Sequence, residues 1–340
     1  MVKPFLDVLH GIRHEPPPIW LMRQAGRYLP EYRRSRQQAG GFLDLCYTPE
    51  FAVEVTLQPI KRYGFDAAIL FSDILVVPDG LGQDVSFVEG VGPVLVPVRN
   101  ASEAATLSMS FFEEMLAPIY EAVSQISNRL DDETALIGFA GAPWTVACYM
   151  VEGGASRDFN AVKSFAYGDP NGFSQLIDLL VEATICHLSA QVASGADALQ
   201  IFESHAGVLP SVEFEKWVIN PIRQIVEGVR SRWPDIPIIG FPRGAGAMYP
   251  AFAVETEVTA VSLDTSVPIH WAIQNLPAGM PVQGNIDPLF LLTGGVEMDR
   301  AIDEILEACR TRAHIFNLGH GVDKNTSPDA VSRLVSKVRN

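Results

Sequence analysis

Short apolar runs recur along the chain, each ending in a polar or glycine-rich tip and each followed by a stretch with helical spacing. The runs are Ile19–Met22, Ala67–Phe71, Ala135–Ala140, Ala198–Phe202, Ile236–Phe241, Val258–Leu263, Pro281–Gln283 and His314–Leu318. Their tips carry Arg23, Asp73, Pro143, Ser204, Arg243, Asp264, Asn285 and His320. Near-continuous apolar runs of this length read as strands buried on both faces, which is the pattern of a parallel sheet covered by helices. The first and seventh runs are the shortest, bounded by proline or arginine. The segment Gln83–Val98, with Gly90-Val-Gly92-Pro93 inside it, reads as a β-hairpin inserted after the second run.

The intervening segments carry helix starts. Thr48-Pro49-Glu50 places a capping threonine before a proline at the first helical position, ahead of Phe51, Val55 and Leu57. Asp169-Pro170 does the same for a long helix with Phe173, Leu176, Ile177, Leu180 and Thr184 on its periodic face, ending near Gly195. Trp217, Pro221, Ile225 and Val229 mark another, with a proline able to kink it. Ile302, Ile305, Leu306 and Cys309 mark one near the end. Eight strand candidates alternating with helices, and no repeat or linker to divide them, favour a single (β/α)8 TIM barrel over residues 1–340 rather than a doubly wound sheet. In that architecture the chemistry gathers at the C-terminal ends of the strands, where the polar tips fall.

Composition narrows the class. Of 340 residues 48% are hydrophobic and 19% charged, which excludes a disordered chain. The net charge of −15 argues against generic nucleic-acid or anionic-membrane binding. The charge is uneven. Residues 1–40 sum to +4 and the remainder to −19, so one basic segment sits on an acidic chain and suits a polyanion; a solvated basic face is the other reading. Cys46, Cys148, Cys186 and Cys309 are scattered, with neither zinc spacing nor a disulfide framework, which fits a reducing cytoplasm. Asp7 and His10 interrupt the start of the chain, so no signal peptide is expected, and no apolar run reaches membrane-spanning length.

Several tips offer chemistry. Arg23 and Arg27 share a face if their segment is helical; if it loops, Gly26 permits close backbone approach. Each can hold a carboxylate bidentately, or bridge to Glu31 on the surface. Asp73, beside the apolar Ile74–Val77, suits either the stabilisation of a cation or the capping of a turn. Tyr149 is a core tyrosine or a phenol donor in the cleft, and His320 an acid, a neutral donor or a loop-orienting residue. Ser204 and His205 are adjacent and form no triad, no G-x-S-x-G elbow is present, and the glycines of 240–246 give no dinucleotide fingerprint.

These segments together resemble the uroporphyrinogen decarboxylase family. The matching text is Pro18-Ile-Trp-Leu-Met-Arg-Gln-Ala-Gly-Arg-Tyr-Leu-Pro-Glu-Tyr-Arg33, Phe71-Ser-Asp-Ile-Leu-Val-Val-Pro78, Gly138–Gly153, Phe202-Glu-Ser204, Gly240–Gly244, Gln283–Pro288 and Asn317–Gly321, spanning residue 4 to the C-terminus. The resemblance implies a (β/α)8 homodimer that uses neither metal nor organic cofactor. It implies removal of the four acetate carboxyls of uroporphyrinogen III as carbon dioxide, giving coproporphyrinogen III in haem biosynthesis. It carries substrate binding onto Arg23, Gln24, Ala25, Gly26 and Arg27, onto Asp73, and onto Tyr149, Ser204 and His320, with Asp73 and Arg27 catalytic. His205 stands where some branches of the family have tryptophan. The proton donor is open between a water, Tyr149 and His320, since Arg27 is a poor acid. Cobamide-dependent methyltransferases, which need a His/Cys zinc set, and a non-catalytic tetrapyrrole-binding protein are the alternatives.

Overall fold

A computed structural model describes residues 3–340. Among the described residues nine strands form: β1 (Ala67–Ile69), β2 (Val85–Val88), β3 (Gly92–Leu95), β4 (Ala135–Gly141), β5 (Ala198–Glu203), β6 (Ile238–Pro242), β7 (Ala260–Ser262), β8 (Val282–Gln283) and β9 (His314–Ile315). Seven of them make one parallel sheet in the order β1-β4-β5-β6-β7-β8-β9, and β2 and β3 pair antiparallel as the expected hairpin. The sheet is curled. Gln283 on β8 donates to Gln200 on β5 at 3.0 Å across two intervening strands, and also to Ser262 on β7, while Trp20 donates to Gln283 at 2.9 Å. Buried side chains of such separated strands meet only on the inside of a curved sheet.

The eighth expected strand, Ile19–Met22, does not form as a strand. It contributes one parallel bridge, Ile19 to Phe316. The cause is local: Pro16, Pro17 and Pro18 have no N–H to give a ladder, and Arg23 turns the chain into the left-handed region with φ +60°. On its other flank Ile19 accepts from the Asp66 N–H at 2.9 Å, so this segment lies between β9 and β1. Other strands are shorter than their apolar runs for similar reasons. Phe71 N–H leaves the ladder for the Thr56 hydroxyl, and Pro281 cannot donate before β8.

Helices cover the sheet. Asp169 caps Pro170–Ala193 through the Gly172 N–H at 3.0 Å, as its sequence predicts, whereas Thr48 begins Pro49–Tyr63 with no side-chain cap. Pro221 is accommodated by a π turn at Glu215–Ile219, which frees the backbone ahead of the helix Asn220–Arg230. Pro170–Ala193 is long and apolar enough to cross a membrane by composition, but 56% of its apolar window is buried in the fold, which makes it a core helix.

Asp66 fastens the incoming segment. Its carboxylate accepts from Ile19 N–H at 2.7 Å and pairs with Arg339 at 3.3 Å, joining both ends of the chain to β1. Asp66→Ala strands the Ile19 N–H and should lower stability by about 1–3 kcal/mol. Denaturant melts would read this as a reduced midpoint with unchanged slope; an unchanged midpoint would mean that Asp66 does not hold the segment.

Candidate functional site

Arg23 is placed by its neighbours on both sides. Met22 donates to the Asn317 side chain at 2.9 Å and accepts from Val322 N–H at 2.9 Å, which ties the turn to the loop after β9. Gln24 is fully buried. Its side chain accepts from Leu21 N–H and donates to Ala67 O, both at 3.1 Å, so it locks the turn from inside. The segment is a loop, not a helix, so Arg23 and Arg27 share no helical face. Gly26 permits a close approach, though to the chain itself: a Cβ there would stand 3.0 Å from the Arg23 carbonyl. Ala25 lies half-buried beside it, and Arg27 is exposed with its charge reaching Tyr32.

The Arg23 side chain lies along Gly321. A Cβ at Gly321 would fall 2.2 Å from Arg23 Cδ and 2.5 Å from Cγ, so only glycine leaves room for the stem. The Arg23 charge acts on both Asp73 and His320, favouring the carboxylate and the neutral imidazole. Asp73 follows β1, where the chain turns before the apolar Leu75, Val76 and Val77. Desolvation raises its carboxyl to about 6, and the Leu75 N–H, donating at 2.9 Å, and the Arg23 charge oppose the rise. At neutral pH it is an anion. Of the two expected roles the capping of the turn is seen, through the Leu75 N–H.

Tyr149 lies on the helix Pro143–Glu152, half-buried, within the influence of Asp73, Arg23 and Arg243. Its ring packs 5.4 Å from that of His205, which also meets Phe159 at 4.9 Å. His320 accepts at Nδ1 from Gly321 N–H at 2.6 Å. Burial, with Arg23 and Arg243 adding to it, pushes the imidazole down to about 4. His320 is thus neutral with its proton on Nε2, a hydrogen-bond donor rather than an acid. Ser204 is half-buried at the end of β5.

Three further residues of this rim, two of them strand tips by pattern, receive no role from the sequence. Glu203 is fully buried on β5 and receives the Thr145 hydroxyl and, at 3.2 Å, the Thr145 N–H at the start of the Tyr149 helix. Burial raises its carboxyl to about 8, so it is protonated at neutral pH. Asp264 accepts from Gly244 N–H, Tyr249 O–H and the Ser266 N–H and hydroxyl, and binds the loops after β6 and β7 together. Arg243 is exposed after β6. An acid closing an otherwise apolar run, as in Phe202-Glu203, was the available sign for the first.

Among the described residues no three His, Cys, Asp or Glu side chains converge as a metal-binding group. Burial raises the thiols of all four cysteines.

Fold and rim define the class: an α/β protein whose polar and charged side chains gather at the ends of a curled parallel sheet. A sequence model of the uroporphyrinogen decarboxylase family matches residues 2–340, and the chain belongs to that family as a carboxy-lyase. It is 52% identical over 337 residues to a uroporphyrinogen decarboxylase of Rhodospirillum rubrum, covering 99% of this chain and 97% of that one. It is 50% identical over 339 residues to one of Novosphingobium aromaticivorans, covering 100% and 99%. Among solved structures, a methyltransferase from Methanosarcina mazei superposes with a TM-score of 0.82 over 98% of this chain and 97% of that one, at 17% identity, a likeness of fold.

The Glu203 carboxyl binds its proton more tightly in the fold than the 4.5 of an unburied glutamate. Its contribution to stability is full below that value and is lost as pH rises through about 8, with a slope of at most about 1.4 kcal/mol per pH unit. Glu203→Gln removes the titration. Thermal melts from pH 5 to 9 should show Tm falling more steeply for the parent than for the variant; parallel curves would show that Glu203 does not retain its proton.

Proposed function

We propose that the Asp73 carboxylate, held ionised in a shielded site, stabilises the cationic intermediate through which the four acetate arms of uroporphyrinogen III lose carbon dioxide to give coproporphyrinogen III. Protonation of a pyrrole ring carbon creates an electron sink. The bond to the carboxyl group then breaks, carbon dioxide leaves, and its electron pair neutralises the ring; protonation of the exocyclic carbon and loss of the ring proton restore the pyrrole. The cation between these steps carries its charge on the pyrrole nitrogen, and an anion fixed beside it counts for far more in a dry cleft than in water. The observation that carries this reading is the pairing of opposites at Asp73: burial works against its charge, while the Leu75 N–H and Arg23 preserve it.

Arg23 and Arg27 hold carboxylate arms of the substrate, and Arg27 orients the arm that reacts. The backbone of Gln24, Ala25 and Gly26 shapes the turn between them. Tyr149 and Ser204 offer hydroxyls, and neutral His320 offers its Nε2–H to a carboxylate. The +4 charge of residues 1–40 supports a polyanionic substrate, and the net −15 supports a chain without nucleic-acid or membrane partners. We further propose one domain, closed as an eight-stranded (β/α)8 barrel, working in the cytoplasm as a homodimer without a cofactor. The hydrogen bonds of Ile19 toward both β1 and β9 support the closure, and the family resemblance supports the dimer.

Asp73→Asn keeps the shape of the side chain and removes its charge. Anaerobic turnover of uroporphyrinogen should show kcat reduced by roughly 10²–10³, with KM changed much less. In the parent, kcat/KM should fall as pH is lowered through about 6, where Asp73 takes up a proton, and the variant should lose that limb. Full activity in Asp73→Asn would remove the electrostatic role.

A further inference from the structure

We infer that Arg243 is a third carboxylate anchor of the cleft, holding an acetate or propionate arm of the macrocycle on the side of the mouth opposite Arg23 and Arg27. The inference rests on the decarboxylase reading and adds to it a residue that fixes the rotational setting of the substrate.

Strand order sets the position. The Ile19 segment lies between β9 and β1, and from it β6 is four places away in either direction along the sheet. The arginine at the end of β6 therefore stands across the opening from the pair that follows Ile19. Its backbone cannot drift. The Arg243 N–H donates to Glu203 O at 3.0 Å, its carbonyl accepts from Gly207 N–H at 3.2 Å, and the next N–H, of Gly244, donates to Asp264 at 2.7 Å. Gly207 and Gly244 touch backbone to backbone; a Cβ on Gly207 would lie 2.5 Å from the Gly244 carbonyl oxygen.

The side chain, by contrast, is uncommitted. It is exposed, and among the described residues it pairs with no carboxylate, although the chain has 40 acidic residues to 25 basic ones. The acid that follows the next strand, Asp264, is occupied by Gly244, Tyr249 and Ser266. The strand-end position of Arg243 beside β5, fixed through Glu203 and Gly207, sets it next to the loop that bears His205, and its charge disfavours protonation of both His205 and His320. A macrocycle with carboxylate arms around its whole rim, gripped from one side only, remains free to pivot. A planar fork on the far side stops the pivot, and it must release its arm before another acetate can be turned toward Asp73.

Arg243→Gln and Arg243→Lys test the assignment, with circular dichroism melts as the control for folding. For uroporphyrinogen, KM should rise about ten- to a hundredfold in the glutamine variant with kcat within about threefold of the parent, and the lysine variant should recover part of the loss. The rise of KM with added salt should be shallower in the glutamine variant. In the substrate-free protein, the His320 imidazole followed by NMR should titrate at higher pH once the nearby cation is gone. Coproporphyrinogen, which lacks acetate arms, distinguishes the two kinds of arm: weaker binding of it to the glutamine variant assigns a propionate, and unchanged binding assigns an acetate. A parent that decarboxylates while both variants match its KM and salt dependence would overturn the anchor and leave the decarboxylase reading intact. Should the glutamine variant fail to fold, a lysine variant with the parent KM would overturn it alone. A parent that releases no carbon dioxide would overturn the reading and the anchor together.

Discussion

A half-buried carboxylate kept ionised beside an apolar turn is the constraint around which this molecule is arranged. Burial works against the charge of Asp73 and so against its value as a counter-charge. Two weak opposing contributions, one backbone N–H and one guanidinium, hold the balance at about 6. Neither can shift far without tipping it. The N–H belongs to Leu75, the first buried residue of the turn, and is fixed by core packing. The guanidinium is on a loop, and most of the rim's hydrogen bonding serves to immobilise that loop.

The immobilisation comes from opposite kinds of chemistry. Around Arg23, neutral groups are satisfied one by one: Gln24 closes the turn from within, and Asn317 and Val322 take both backbone groups of Met22. On the other side of the mouth, Glu203 joins β5 to the helix bearing Tyr149, and it does so as an uncharged acid, which avoids setting a second anion in the interior. Asp264 remains an anion because four donors surround it. Three carboxyl groups at one rim thus divide between two electrical states, two anions and one neutral acid, as burial and the surrounding donors balance at each.

Much of this was legible in the sequence. Apolar runs with polar tips gave the parallel sheet, the inserted hairpin and the rim, because burial on both faces leaves a pattern that survives without coordinates. Ile19–Met22 misled because its apolarity is that of a strand while three prolines and a left-handed arginine deny it the ladder; conformation at Arg23 is not written in composition. Arg23 and Asp73 could be named as candidates, but the seat of the Arg23 stem is Gly321, nearly three hundred residues later. Glu203 and Arg243 lie inside matched segments, and Arg243 and Asp264 at strand tips, but the sequence assigns none of them a role. Their roles arise from neighbours that only the fold supplies.

That long reach from Arg23 to Gly321 has a consequence for synthesis. The glycine on which the arginine's stem rests leaves the ribosome nearly three hundred residues after the arginine itself. At the usual rate of about 5–20 residues per second, the interval is roughly 15–60 s. Throughout it the basic loop is in the cell without its seat, and Asp73 without its counter-charge. The pocket is thus completed only once the segment after β9 is made, and a chain cut short before that strand and loop carries the recognisable front half of the site without the seat of its arginine. Competence is acquired when that late segment docks rather than accumulated along the chain.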